Sequence, residues 1–191
     1  MKKLLTLLLL CFVLHNCFAQ IDYYNVEWTK KNKQDLFTGI CKIETDQQHV
    51  IIGEIIWRYW AIDSTDQDMT DMYKGKKGKM GIEFIEGNYF SNSHDVIFEG
   101  KDKNDPFGIL GLDKYSLKLS ANKQVLYGTT ATEGTNSGLF YATKLNTTAG
   151  EKQFLSAKAK VKKNSNKFLM LNDQLQNRYP SNSQPFTIFI S

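Results

Sequence analysis

The sequence predicts an all-β chain built as an antiparallel up-and-down barrel, with a β-sandwich as the alternative and a short C-terminal extension. Three observations predict it. Apolar and polar residues alternate with a period of two along most of residues 36–145, as half-buried strands require. Turn-forming residues interrupt that pattern roughly every 8 to 15 positions, and the links are short enough for sequential hairpins. Glycines fall inside the strand-like runs at Gly39, Gly53, Gly81 and Gly128, where they mark bends of a sheet curling toward closure, which favours a barrel.

The first nineteen residues have the three-part pattern of an export signal. Lys2 and Lys3 precede an apolar run from Leu4 to Leu14, and Asn16-Cys17-Phe18-Ala19 leads to a cut before Gln20. A run of about 11 residues is too short to span a bilayer, which takes roughly 20, so the segment reads as cleaved. The competing reading makes Cys17 a lipid-anchored first residue. Leu14-His15-Asn16 lacks the small residue wanted before a lipidated cysteine, which argues against it. The expected layout is therefore a signal peptide at 1–19, a barrel at 20–146 and a basic extension at 147–191 that packs on the same domain. The expected location is secreted or periplasmic. Nothing after the signal is long and apolar enough to be a transmembrane segment.

Strands are expected in order at 36–45 and 50–62, joined by Asp46-Gln47-Gln48, then at 79–86, 89–91 and 94–99, the last two separated by Asn92-Ser93. Further strands follow at 114–121, 124–130 and 139–145, with turns at Asn122-Lys123 and 133–138. Residues 151–163 are ambiguous. Lys158, Lys160 and Lys162 alternate with Ala157, Ala159 and Val161 as in an edge strand, while Phe154, Leu155, Lys158, Ala159 and Lys162 would line a helix. The strand reading is adopted. The apolar runs Phe168–Leu171 and Phe186–Ile190 are expected to pack on the barrel, with a loop between Pro180 and Pro185.

The chain carries 24 basic and 20 acidic side chains, net +4; Lys2 and Lys3 leave with the signal, so the mature form is +2. So small a charge argues against a nucleic-acid partner. The charge is uneven, because residues 151–191 hold seven basic and two acidic side chains. Lysines from Lys158 to Lys167 could meet phosphate groups, but charged edges are also how β proteins avoid pairing with one another. Cleavage leaves Cys41 as the one mature thiol, so the domain must hold itself by its core and not by a bridge.

The aromatic segment Trp57-Arg58-Tyr59-Trp60 is the candidate ligand site. In a strand Trp57 and Tyr59 share one face, and Arg58 and Trp60 the other. If the barrel interior is open, rings with a polar tip suit a small apolar molecule; if it is filled, they are core. Asp63, Asp66, Asp68 and Asp71 form an acidic loop without the glycine or closing glutamate of a calcium site, so no metal is assigned. Asp102, Asn104, Asp105 and Asp113 surround Pro106 and Gly108, and the turn chemistry of Asp105-Pro106 makes that stretch structural. His49 and His94 sit in no ligand or nucleophile motif. Serine nucleophile elbows, phosphate loops and dinucleotide fingerprints are missing, and no cofactor is implied. Glu83 and Glu86 would serve a hydrolase only across a cleft, and both read as solvated strand positions.

The stretch Gly100–Leu119, followed by a glycine turn near Gly134 and the strand residues Phe140-Tyr141, resembles a segment of secreted β-barrel-like proteins of Gram-negative bacteria. Phe18-Ala19-Gln20 is similar to the end of their export signals. The resemblance covers about a quarter of the chain and implies no activity. The function expected is an exported, non-catalytic barrel, calycin-like or lipocalin-like in plan, that binds a small apolar ligand or an envelope protein through Trp57, Tyr59, Trp60 and Arg58. The alternatives are a structural or inhibitory interaction protein with a solid core, and a hydrolase of envelope polymers.

Overall fold

The computed structural model describes residues 19–30, 37–60, 75–131 and 137–178. Residues 1–18, which hold most of the expected export signal and Cys17, the acidic loop at 63–71, the turn near Gly134 and everything after Arg178 lie outside the described residues. Eight antiparallel strands run β1 (Gln20–Lys30), β2 (Phe37–Thr45), β3 (Val50–Tyr59), β4 (Met80–Phe90), β5 (Asp95–Asn104), β6 (Lys114–Leu119), β7 (Val125–Ala131) and β8 (Ser137–Lys144). Each pairs with its sequence neighbours, and β8 pairs back onto β1, so the sheet closes into an up-and-down barrel. A helix, α1 (Thr147–Arg178), follows.

Three elements differ from expectation. β1 is an additional strand, with Tyr24, Val26 and Trp28 on its buried face. The runs expected at 79–86 and 89–91 are one strand, β4, which passes through Gly87 without a turn. Residues 151–163 are helical, and the run Phe168–Leu171 falls inside the same helix. The helix starts where the Asn146 side chain accepts the N–H of Thr148 at 3.1 Å, a terminal donor with no partner inside the helix. Its buried stripe is Phe154, Ala157 and Val161, spaced for one helical face, while Leu155 stands in solvent.

The barrel interior is packed by matching large residues with glycine across the strands. Trp57 of β3 sits between Gly39 and Gly81, Phe98 opposite Gly87, and Phe140 opposite Gly128. A Cβ at Gly87 would run into the Ile97 carbonyl and into Phe98, so no larger residue fits there. Opposite Phe84 and Ile85 the partner strand β5 carries an extra residue, Lys101, and this bulge adds curvature to β5. Outside the barrel, α1 lays Phe154 and Val161 onto the outward residues Tyr23, Ile40, Ile56, Met80 and Ile82. The Tyr23 and Phe154 rings lie 5.9 Å apart, and Lys158 pairs with Glu54 at 2.5 Å.

The two ends of the barrel are built differently. At one end three hairpin turns close tightly, each with a non-glycine residue at positive φ: His49 (65°), His94 (57°) and Lys123 (56°). At the other end the β5–β6 segment, 105–113, folds inward. Asp105 Oδ2 accepts the Leu110 N–H at 2.6 Å, Lys103 Nζ donates to the Leu110 carbonyl, and Ile109 and Leu110 are buried in the core.

Candidate functional site

The four residues singled out in the sequence stand on two sides of the sheet. Trp57 and Tyr59 point inward and are each 3% exposed. Trp57 meets Phe37 and Phe140 edge-on at 6.3 and 6.1 Å, and Tyr59 tilts against Phe37 at 5.3 Å, so the rings fill this level of the barrel. Arg58 points outward and touches Met80 Sδ at 3.8 Å. Trp60, past the end of β3, is 53% exposed.

The inward group that sequence reading missed is Glu83, only 2% exposed. Its Oε2 accepts Trp57 Nε1–H at 2.9 Å and the Tyr115 hydroxyl at 2.6 Å, and its Oε1 accepts the Asp113 N–H at 3.3 Å. A Cβ at Gly100 would occupy the carboxylate's place, so that glycine makes its room. Burial pushes Glu83 up to about 7, opposed by the donors Tyr115, Trp57 and the Asp113 amide. Burial also raises the Tyr115 hydroxyl and the Cys41 thiol well above their ordinary values, leaving Cys41 protonated and unreactive. Three donors on one buried carboxyl tie β3, β4 and β6 together at the end closed by residues 105–113. Glu86, in contrast, lies on the outer face, so these two carboxylates face opposite sides of β4 and do not flank a cleft.

At the tight-turn end the barrel opens into a cup of about 360 Å³. Tyr24, Ile43, Ile51, Val96, Leu119 and Leu126 form its apolar floor. Its rim is polar: Lys144 Nζ pairs with Asp22 Oδ1 at 2.7 Å, and the Tyr89 hydroxyl lies 3.3 Å from His94 Nδ1. The His49 ring meets Tyr89 edge-on at 5.6 Å. The turns hold this rim in place; Asp46 Oδ1 accepts the Gln48 and Val50 N–H groups at 2.9 and 2.8 Å. A recess of this size, with an apolar floor and polar groups around its rim, falls in the range of small-molecule sites.

Among the described residues, no three His, Cys, Asp or Glu side chains converge to hold a metal ion, and no helix is long and apolar enough to cross a membrane. Asp102 and Asp105 serve the backbone of their own segment, Asp102 Oδ1 accepting the Lys103 N–H at 2.7 Å and Asp105 Oδ2 the Leu110 N–H at 2.6 Å. The fold and site together define a closed eight-stranded antiparallel barrel with an outer helix and one cupped end. No family model, curated protein or solved structure matches the chain.

Proposed function

We propose that the mature chain is an exported, non-catalytic binding barrel that takes a small apolar molecule with one polar end into the cup at the tight-turn end. The supporting observation is the recess itself, an apolar floor under a polar rim that includes Asp22, Lys144, His49 and Tyr89. An alkyl or ring body would cover Leu119, Leu126 and Val96, and a polar head would stay among the rim groups. The aromatic core around Trp57 supports the cup from below and does not contact the ligand.

Titration with decanol and decanoate, followed by calorimetry, tests this reading. Saturable binding of at least one is expected, together with its loss in Leu119→Trp, whose indole would fill the cup. Absence of saturation, or equal binding by Leu119→Trp, would sink the proposal. Export predicts an N-terminus at Gln20 in protein recovered from its native compartment. A mass that includes Cys17 and acyl chains would instead establish a tether.

A second reading, an interaction protein with a solid core, is supported by Ile52, Phe90 and Ile97 on the outer face of β3–β5, each about half exposed or more. Native mass spectrometry of that same material separates the readings. A small added mass favours the cup; a bound protein lost in Ile97→Lys favours the outer face.

A further inference from the structure

We propose that the groove between α1 and the outward face of β1–β3 is a second binding site, for a small hydroxyl-bearing molecule that carries an oxyanion. The groove has a volume of about 460 Å³ and is independent of the cup, since it lies outside the barrel. Its central cation is Arg58. The guanidinium is partly buried, yet its contact among the described residues is the Met80 sulfur at 3.8 Å, a weak acceptor for a group with five N–H donors.

Other cations of this surface are differently placed. Lys42 holds Glu44 at 2.5 Å and Lys158 holds Glu54 at 2.5 Å, so the local carboxylates are engaged by lysine. The carboxylate lining the groove is Glu27, which the register sets in one row with Thr38 and Arg58. Two strand spacings separate Glu27 from Arg58, roughly 9 to 10 Å between backbones. Lys160 of α1 lines the same groove. Arg58 and Glu27 thus stand apart in one row with Thr38 between them and Tyr141 beside Glu27, and Asn25 and Ser156 line the same groove. Gln153 Nε2 donates to Asn25 Oδ1 at 3.0 Å and fixes that amide.

That polarity selects the ligand. An arginine fork matches the paired oxygens of a carboxylate or phosphate, so the oxyanion belongs at Arg58 and Lys160. Glu27 would repel a second anion and accept hydroxyl donors, and Tyr141 offers a flat face to a ring. A sugar acid or a sugar phosphate has this chemistry, and the two share the oxyanion that Arg58 would read.

Calorimetric titration with glucuronate, glucose 6-phosphate and glucose tests the assignment and separates the two sources. Saturable binding of glucuronate or glucose 6-phosphate is expected, at least tenfold tighter than glucose. Arg58→Gln should weaken it at least tenfold, Arg58→Lys less, and Lys163→Ala, an exposed lysine of α1 outside the groove, should leave it unchanged. The thermal melt of Arg58→Gln should match the parent, which separates lost binding from lost folding. Leu119→Trp should retain the binding, so failure of the cup reading is distinguishable from failure of this one. The proposal is overturned if neither acid saturates, if glucose binds as tightly, or if Arg58→Gln binds as the parent does.

Discussion

The two ends of the barrel solve the same problem in opposite ways. At the 105–113 end the chain fills the opening with its own side chains: Ile109 and Leu110 enter the core, and Glu83 accepts hydrogen bonds from Trp57, Tyr115 and the Asp113 amide. At the tight-turn end the hairpins stop at the rim, and a cup of about 360 Å³ is left above Leu119 and Leu126. The comparison separates the end that carries stability from the end proposed to bind. Substitutions at the filled end should cost folding energy, and substitutions at the cup should alter binding with little change in folding.

The largest expected effect is at Trp57. Trp57→Ala removes a ring packed on Phe37 and Phe140 and takes one donor from a buried carboxyl. Losses of about 3 to 5 kcal/mol accompany such truncations in well-packed cores. Urea unfolding measures it. A loss below about 1 kcal/mol would show that this end is not the packed one.

Glu83 comes next, with a sign fixed by linkage. Its native value is raised to about 7 from the ordinary 4.5, so the folded state holds the proton more tightly than the unfolded state. Its contribution is fully present below about pH 4.5 and is lost as pH rises through 7. The protein should therefore lose about 3 kcal/mol of stability from this group between pH 4 and pH 8. Glu83→Gln cannot ionise and should remove that slope, giving a variant relatively favoured at pH 8. Denaturation midpoints across that range check the expectation; parallel curves for parent and variant would contradict it.

Gly87 tests the large–small matching that fills the barrel. A methyl at this position meets the Ile97 carbonyl and Phe98, and backbone cannot move aside as a side-chain tip can. Gly87→Ala should cost about 1 to 3 kcal/mol by overpacking. A thermal melt unchanged within experimental error would mean that the sheet has room to relax there.

Much of this architecture was legible in the residues, and each exception has its own physical cause. Period-two patterning located β2 and β6–β8 because buried and more exposed residues alternate along most of each, and the β-branched and aromatic run located β3, although Ile40 of β2 and Ile56 of β3 lie under α1. The same pattern is present in β1, where Tyr24, Val26 and Trp28 alternate with Asn25 and Glu27, but that strand directly follows the apolar N-terminal run, which masks it as the tail of a leader. β4 obscures it because α1 covers its outer side. Ile82 is buried by the helix while Gly81 and Glu83 face the interior, so a glutamate among apolar neighbours reads as the wet face when it is the inner one. Residues 151–163 failed for the reciprocal reason. The stripe Phe154, Ala157, Val161 is narrow, and the lysines around it give a period of two over a short window. The cup could not be read, because its floor gathers residues from β1 to β7 that only barrel closure brings together.

The smallest expected effect lies at the cup rim. Lys144 and Asp22 sit in adjacent strands, 2.7 Å apart, with side chains 22% and 18% exposed. Gln20 Nε2 also donates to Asp22 Oδ2 at 2.7 Å, so removing Lys144 does not strip the carboxylate of partners. Partly wet pairs of this kind contribute about 1 kcal/mol or less, and salt screens them. A double-mutant cycle of Asp22→Asn and Lys144→Met should give a coupling in that range that shrinks as ionic strength rises. A coupling above about 2 kcal/mol, insensitive to salt, would mean that the rim is as tightly built as the Glu83 end. The contrast between a load carried at one end and a recess kept at the other would then fail, because a rim held that rigidly could not be substituted without disturbing the fold.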